Sequence, residues 1–334
     1  MKNMTGRLVF VRFFAIAALS AVSALTSAVH AQGPNLLSQA ALIVDARTGD
    51  PIFAKNANNV TPIASITKLM TAMVVLDAQQ NLDQTLTVDL DDLDFLKASR
   101  SRLSIGSELT RREMLRLALM SSENRAASSL GRFYPGGLSA AVAAMNAKAK
   151  ALGMNNTRYV DTTGLSPENV STARDLAVMV QAAQRYPLIR EFSTTSEGEF
   201  SIAGRAQQFR NTNTLVKSPT WEIGLSKTGY INESGKCLVM QATIANNPVV
   251  IVLLDATIPF ENQDLTLVDL VERFIRMQGR GVVRGDVPLR AAILQIATDG
   301  LVRAAAGPLR VPLWGAEDHA QKLAELLLLE EEYR

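Results

Sequence analysis

The chain carries one cysteine and two histidines in 334 residues, and these scarcities exclude several chemistries. A lone cysteine, Cys237, allows no internal disulfide, so the core must hold the fold together unaided. Cys237 lies in the β-rich run "GKCLVMQATI" and reads as a small core residue rather than a nucleophile. Of the two histidines, His30 sits in or at the end of an N-terminal export segment and His319 in a polar C-terminal helix. Neither suits a Ser-His-Asp triad, and no histidine-rich zinc site can be assembled from them. The chain also lacks a dense basic patch with interleaved aromatics, which excludes nucleic acid as a natural partner. No internal repeat is visible.

What is present is enough apolar sequence for a sizeable core: 47% apolar against 20% charged residues. The length suits one large or two medium domains. Lys2, Arg7 and Arg12 precede the apolar run "FFAIAALSAVSAL", and Val29 and Ala31 supply small residues. Residues 1–31 therefore read as a secretory signal cleaved after Ala31. The run is short for a membrane-spanning helix, although an uncleaved anchor is the alternative. The segment holds three basic residues and no acidic one, which leaves 31 basic against 32 acidic residues, a formal net of −1.

Along the rest of the chain, "AALIVDARTGDPIFAKN" predicts a hairpin, followed by a helix from Ser65 to about Ala78. That helix presents Leu69, Ala72, Met73 and Leu76 on one face. Helical runs fill the middle, where Thr110 and Glu113 fit a capping box. Gly136-Gly137 marks a break, Gly153 a helix end, and Ser171 or Thr172 a further cap. Strands return from about residue 195, and "LTLVDLVERFIRM" reads as a closing helix. Strands, helices, strands and a helix make an α+β layout in which the first hairpin pairs with the late strands. The tail from about residue 278 is arginine-rich, then ends in a helix acidic on its polar side. Membrane-surface helices carry Lys and Arg there, so a strong membrane anchor is not expected.

Three short motifs occur in order. Ser65-Ile66-Thr67-Lys68 is unremarkable alone, since serine commonly caps a helix. It is followed by Ser122-Glu123-Asn124 and then by Lys227-Thr228-Gly229 on a predicted strand. Together they form the signature set of penicillin-binding proteins and serine β-lactamases. Ser65 at a helix start meets the positive end of the dipole, and Lys68 lies one turn on, on the same face. Lysine ordinarily titrates near 10.4. Burial plus a second cation, Lys227, would push it down, so that a neutral Lys68 takes the Ser65 proton. Ser122 would pass that proton to the leaving amine, Asn124 would donate to a substrate amide, and Lys227 and Thr228 would receive a substrate carboxylate. Gly229 permits close backbone approach.

The resemblance is wider than the motifs. "DARTGDPIFAKNANNVTPIASITKLMTAMVVLDA", "SRSRLSIGSELTRREMLRLALMSSENRAA" and "GMNNTRYVDTTGLSPENVSTARDL" resemble low-molecular-mass penicillin-binding proteins of the D-alanyl-D-alanine endopeptidase/carboxypeptidase group. "MSSENRAA", with Glu123 where carboxypeptidases usually carry glycine, resembles the endopeptidase branch. The resemblance covers about residues 36–277 and leaves 278–334 as an extension of unassigned role. It implies an α+β, transpeptidase-like fold, an antiparallel sheet flanked by helices plus a helical region. It also implies a periplasmic enzyme without cofactor or metal that acts on peptidoglycan stem peptides through a Ser65 acyl-enzyme. The oxyanion hole would be the backbone N–H groups of Ser65 and Tyr230, and β-lactams would acylate Ser65 as covalent inhibitors. Trimming of terminal D-alanine, a class A-like β-lactamase and a non-catalytic penicillin-binding sensor are the alternatives. A β-lactamase needs a water-activating carboxylate. No Glu-x-x-Leu-Asn stretch supplies one between Ser122 and Lys227, and Glu168 is the nearest substitute.

Overall fold

Antiparallel pairing between the two ends of the described chain closes the sheet. The computed structural model describes residues 38–256 apart from 95, 96, 98, 100, 220, 245 and 246. The expected signal, the helix at 265–277 and the tail from 278 lie outside the described residues. Strand β1 (Ser38–Asp45) turns through the Gly49 loop into β2 (Pro51–Lys55). Strands β9 (Glu222–Ile231), β10 (Gly235–Ile244) and β11 (Asn247–Ala256) form a meander. The hairpin joins it because β1 pairs with β11, from Ser38 opposite Ala256 to Asp45 opposite Val249. The sheet order is β2-β1-β11-β10-β9, so β9 is an edge strand. The predicted pairing of the first hairpin with the late strands is present. Val249 to Leu254 are buried without alternation, as in a strand covered on both faces.

The helical region lies between these two contributions to the sheet. After the short strand β3 (Thr61–Pro62) come α1 (Thr67–Asp77), a small hairpin of β4 (Thr85–Thr87) with β5 (Glu108–Thr110), and α2 (Arg111–Met120). Next are α3 (Asn124–Arg132), α4 (Gly137–Ala151), β6 (Val170–Ser171), α5 (Ala173–Ala183) and α6 (Pro187–Thr194). The hairpin of β7 (Glu197–Ile202) and β8 (Arg205–Arg210) leads back to the sheet. The capping box is formed: Thr110 Oγ1 accepts from the Glu113 N–H and the Glu113 carboxylate accepts from the Thr110 N–H. Thr172, not Ser171, caps α5, accepting from the Asp175 N–H. Helix α6 is not anticipated by the sequence reading; Pro187 in its first turn starts it.

Helix α1 is the axis of this arrangement. It packs against each of the other five helices among the described residues. Every residue from Thr67 to Val75 is buried, where the sequence predicted one apolar face. An all-round apolar helix belongs inside a core, and the polar residues within it, Thr67, Lys68 and Thr71, are carried inside with it. Helix α5 packs on α1 and on β11, β1 and β10, joining the helices to the sheet.

A buried ion pair fixes α3 to this frame. Asp92 ends a 3-10 turn at Leu90–Asp92. Its carboxylate accepts from Ser129 Oγ at 2.6 Å, Arg132 Nη2 at 2.7 Å and the Asp89 N–H at 2.9 Å. Burial opposes its charge, but Arg132 and Ser129 prevail and hold the carboxyl below the usual range. Replacing Asp92 by alanine removes the acceptor of Ser129 and the charge partner of Arg132 and is expected to cost about 3 kcal/mol, measured as a lower urea midpoint with an unchanged slope.

Candidate active site

The nucleophile candidate sits before the helix, not at its cap. Ser65 is the middle residue of a 3-10 turn, Ala64–Ile66, and α1 begins at Thr67 with no side-chain cap. Ser65 is therefore not the helix-capping serine that the motif alone suggests. Its hydroxyl instead lies 2.8 Å from Lys68 Nζ. The turn departs from helix geometry because Ala64 holds φ at +46°, a conformation that costs a non-glycine residue energy. It is held there from outside: the Ile63 N–H donates to the Asn169 carbonyl at 3.1 Å.

The structure brings all three motifs together. Lys68 Nζ lies 2.7 Å from Asn124 Oδ1 and 2.7 Å from the Thr163 carbonyl, besides Ser65 Oγ. Lys227 Nζ donates to Ser122 Oγ at 2.8 Å and to the Thr228 carbonyl at 2.8 Å. Ser122 lies between α2 and α3 with φ at +59°, and Asn124 opens α3 with Glu123 as its cap. Lys227, Thr228, Gly229 and Tyr230 run along edge strand β9. Thr228 Oγ1 donates to Thr212 Oγ1 at 2.6 Å. Tyr230 is 61% exposed. A Cβ on Gly229 would lie 3.0 Å from the Ser65 nitrogen, so the strand passes directly beside the nucleophile's backbone.

The loop at 161–169 supplies what sequence reasoning missed. Asp161 Oδ1 accepts from the N–H groups of Thr163 and Gly164 at 2.7 and 2.6 Å. The resulting turn delivers the Thr163 carbonyl to Lys68 and seats Gly164 on the nucleophile turn. Gly164 has φ +83°, and a Cβ there would lie 1.9 Å from the Ala64 oxygen. Asn169 Nδ2 donates to Thr67 Oγ1 at 3.1 Å and ties the loop to α1. Asp-Thr-Thr-Gly is legible as a turn, yet nothing in its spacing says which backbone it docks against.

The electrostatics turn on burial. Lys68 has no exposed surface; burial pushes its amine down to about 7, against the opposing charges of Asp161 and Glu123. The expectation that Lys227 is the lowering cation needs correction. Burial is the leading cause, and the repulsion is seen on Lys227, whose own ammonium is disfavoured first by burial and then by Lys68. Cys237 is buried, and burial raises its thiol to about 11, which fits a core residue. Glu168 Oε2 pairs with Arg158 at 3.1 Å on the surface, its side chain 62% exposed. Among the described residues no group of acidic, histidine or cysteine side chains could hold a metal ion.

Comparison with known proteins agrees with this arrangement. The family model described as D-alanyl-D-alanine carboxypeptidase matches residues 27–258. The D-alanyl-D-alanine endopeptidase of Escherichia coli is 52% identical over 238 residues, spanning 71% of this chain and 77% of that protein. The D-alanyl-D-alanine endopeptidase of Pseudomonas aeruginosa is 53% identical over 223 residues, 66% of this chain and 72% of that protein. Among solved structures, a Streptomyces DD-transpeptidase superposes with a TM-score of 0.66 at 26% identity, covering 73% of this chain and 99% of that one. The α+β, transpeptidase-like architecture expected from the sequence is the one observed.

Gly164→Ala tests the docking of the loop. The added methyl group meets the Ala64 carbonyl and displaces the nucleophile turn. Labelling of Ser65 by a fluorescent penicillin is expected to slow by about 100-fold, the scale on which a misplacement near 1 Å is felt.

Proposed function

The chain belongs to the D-alanyl-D-alanine carboxypeptidase family of serine peptidases, and from that membership we propose a D,D-endopeptidase that hydrolyses D-alanyl bonds in cross-linked peptidoglycan stem peptides. The observation that carries the mechanism is the set of partners around Lys68 Nζ. A protonated lysine has three N–H donors and no acceptor. A neutral amine has two N–H groups and one lone pair. The Asn124 and Thr163 oxygens, each at 2.7 Å, accept two hydrogens from Lys68 Nζ, and Ser65 Oγ at 2.8 Å accepts a third while the lysine is charged; once the amine is neutral, the same contact lets its lone pair receive the Ser65 proton.

The steps follow from this assignment. Ser65 Oγ attacks the D-alanine carbonyl carbon as its proton passes to Lys68. The oxygen that gains charge sits between the backbone N–H groups of Ser65 and Tyr230, where the close passage of Gly229 supports the placement. The carbon–nitrogen bond breaks, and the leaving amine takes its proton through Ser122, whose hydroxyl Lys227 holds at 2.8 Å. Water then hydrolyses the Ser65 ester. Asn124 binds the substrate amide, and Lys227 and Thr228 bind a carboxylate at the open edge of β9. β-Lactams would enter the same site and acylate Ser65.

The names of the 52% and 53% identical relatives support cutting of cross-links. Trimming of terminal D-alanine, the activity in the family's description, is the second reading. A β-lactamase is disfavoured because Glu168, its nearest water-activating carboxylate, is paired with Arg158 on the surface. The N-terminal apolar segment supports export to the periplasm, and no described helix is long and apolar enough to cross a membrane.

Cross-linked muropeptide dimers digested by the protein should disappear into monomers by mass; loss of terminal D-alanine alone would establish carboxypeptidase activity instead. Ser65→Ala should reduce cleavage and penicillin labelling to background, and retained activity would sink the mechanism. Since Lys68 works neutral and its amine is lowered to about 7, kcat/KM should rise with pH through an acid limb centred near that value.

A further inference from the structure

Both fixed acceptors of the Lys68 amine belong to segments anchored by a carboxylate to which the three motifs assign no role. The Thr163 carbonyl is set by Asp161. Besides the Thr163 and Gly164 N–H groups, its Oδ1 accepts from Thr163 Oγ1 at 3.1 Å and Asn169 Nδ2 at 3.1 Å, and its Oδ2 from the Ser166 N–H at 2.9 Å. Asn124 is set by Glu123. The Glu123 Oε1 accepts from the Arg125 N–H at 3.2 Å, capping α3, and from Ser101 Oγ at 2.7 Å. The loop carrying Ser101 holds Asn124 a second time, through Ser99 Oγ, which accepts from Asn124 Nδ2 at 3.0 Å. Glu123 is buried, so its oxygens are not available to a substrate in the open groove.

We propose that Asp161 and Glu123 are a pair of positioning carboxylates, each fixing the backbone segment that carries one of the two acceptors of the Lys68 amine. This rests on the reading of Lys68 as the base. The pair has a second consequence, because the same two charges act on the amine. The charged side chains around Lys68 are Asp161 from the loop after α4, Glu123 from the cap of α3 and Lys227 from β9. Burial disfavours the ammonium, and the two carboxylates oppose burial. They keep the base able to accept a proton near neutrality instead of letting burial drive it lower. An amine that could not hold a proton would be useless as an acceptor from Ser65.

The experiment is the rate of Ser65 acylation by a fluorescent penicillin, followed on the full chain from about pH 5 to about pH 9, a range that brackets the base. Glu123→Gln keeps an Oε1 acceptor for Ser101 and Arg125 but removes the charge. Asp161→Asn removes the charge and the Ser166 bond. Losing a carboxylate disfavours the ammonium, so the acid limb should move to lower pH in both, on the order of half a unit each. Ser101→Ala keeps the Glu123 charge and removes its clamp. It should lower the plateau rate severalfold and leave the limb in place. If Glu123→Gln leaves the limb where the wild type has it, or Ser101→Ala keeps the wild-type plateau, the proposal is overturned. Should Asp161→Asn fail to fold, the other two variants still decide the matter. A wild-type protein with no acid limb would instead defeat the reading of Lys68 as the base.

Discussion

The burial of one amine governs this molecule. Lys68 lies on a helix that packs against all five of the other described helices, so its amine has no water to hold a charge. Lowering an amine from 10.5 to about 7 makes its protonation roughly 5 kcal/mol less favourable than that of a free lysine. That penalty brings a share of the neutral amine within reach near neutral pH, and packing supplies it before any substrate arrives. The cost of carrying a polar group into a core is limited by giving each hydrogen a partner: Lys68 Nζ donates to the Asn124, Thr163 and Ser65 oxygens. Stability and chemistry thus make the same demand, a fully satisfied amine.

Three backbones meeting at one point satisfy that demand. The 3-10 turn at Ala64–Ile66, the loop at Gly164 and strand β9 at Gly229 approach so closely that a Cβ would collide at Gly164 and press tightly on the turn at Gly229. Close packing of this kind transmits displacement rather than absorbing it. Positions far from one another in the chain are therefore coupled at the nucleophile. The positive φ of Ala64 and of Ser122 is the local cost, and tertiary contacts on both sides hold it.

Much of the architecture is legible in the chain itself. The first hairpin, the Thr110–Glu113 capping box and the return of strands after residue 195 rest on periodicities of two and of 3.6 and on turn chemistry, all readable over a few residues. The three motifs meet because, taken in order, they carry a geometry larger than any one of them. The sequence reading lost accuracy where an outcome depends on distant neighbours. Helix α1 reads as one-faced and is buried all round; Ser65 reads as the first residue of that helix and lies in a 3-10 turn before it; α6 escapes notice because eight residues after a proline carry little pattern.

The sequence by itself determined which groups are candidates for the chemistry and the order in which the chain presents them. It could do so because scarcity of histidine leaves lysine as the candidate base, and because motif spacing is a local property. Only the tertiary structure decided how far the Lys68 amine is lowered, the place of Asp161 and Thr163 in its surroundings, and the weakness of Lys227 as the lowering cation. Those follow from how completely water is excluded and from which charges remain nearby. Solvent exclusion is the joint work of every element packed around α1, and no stretch of sequence contains it.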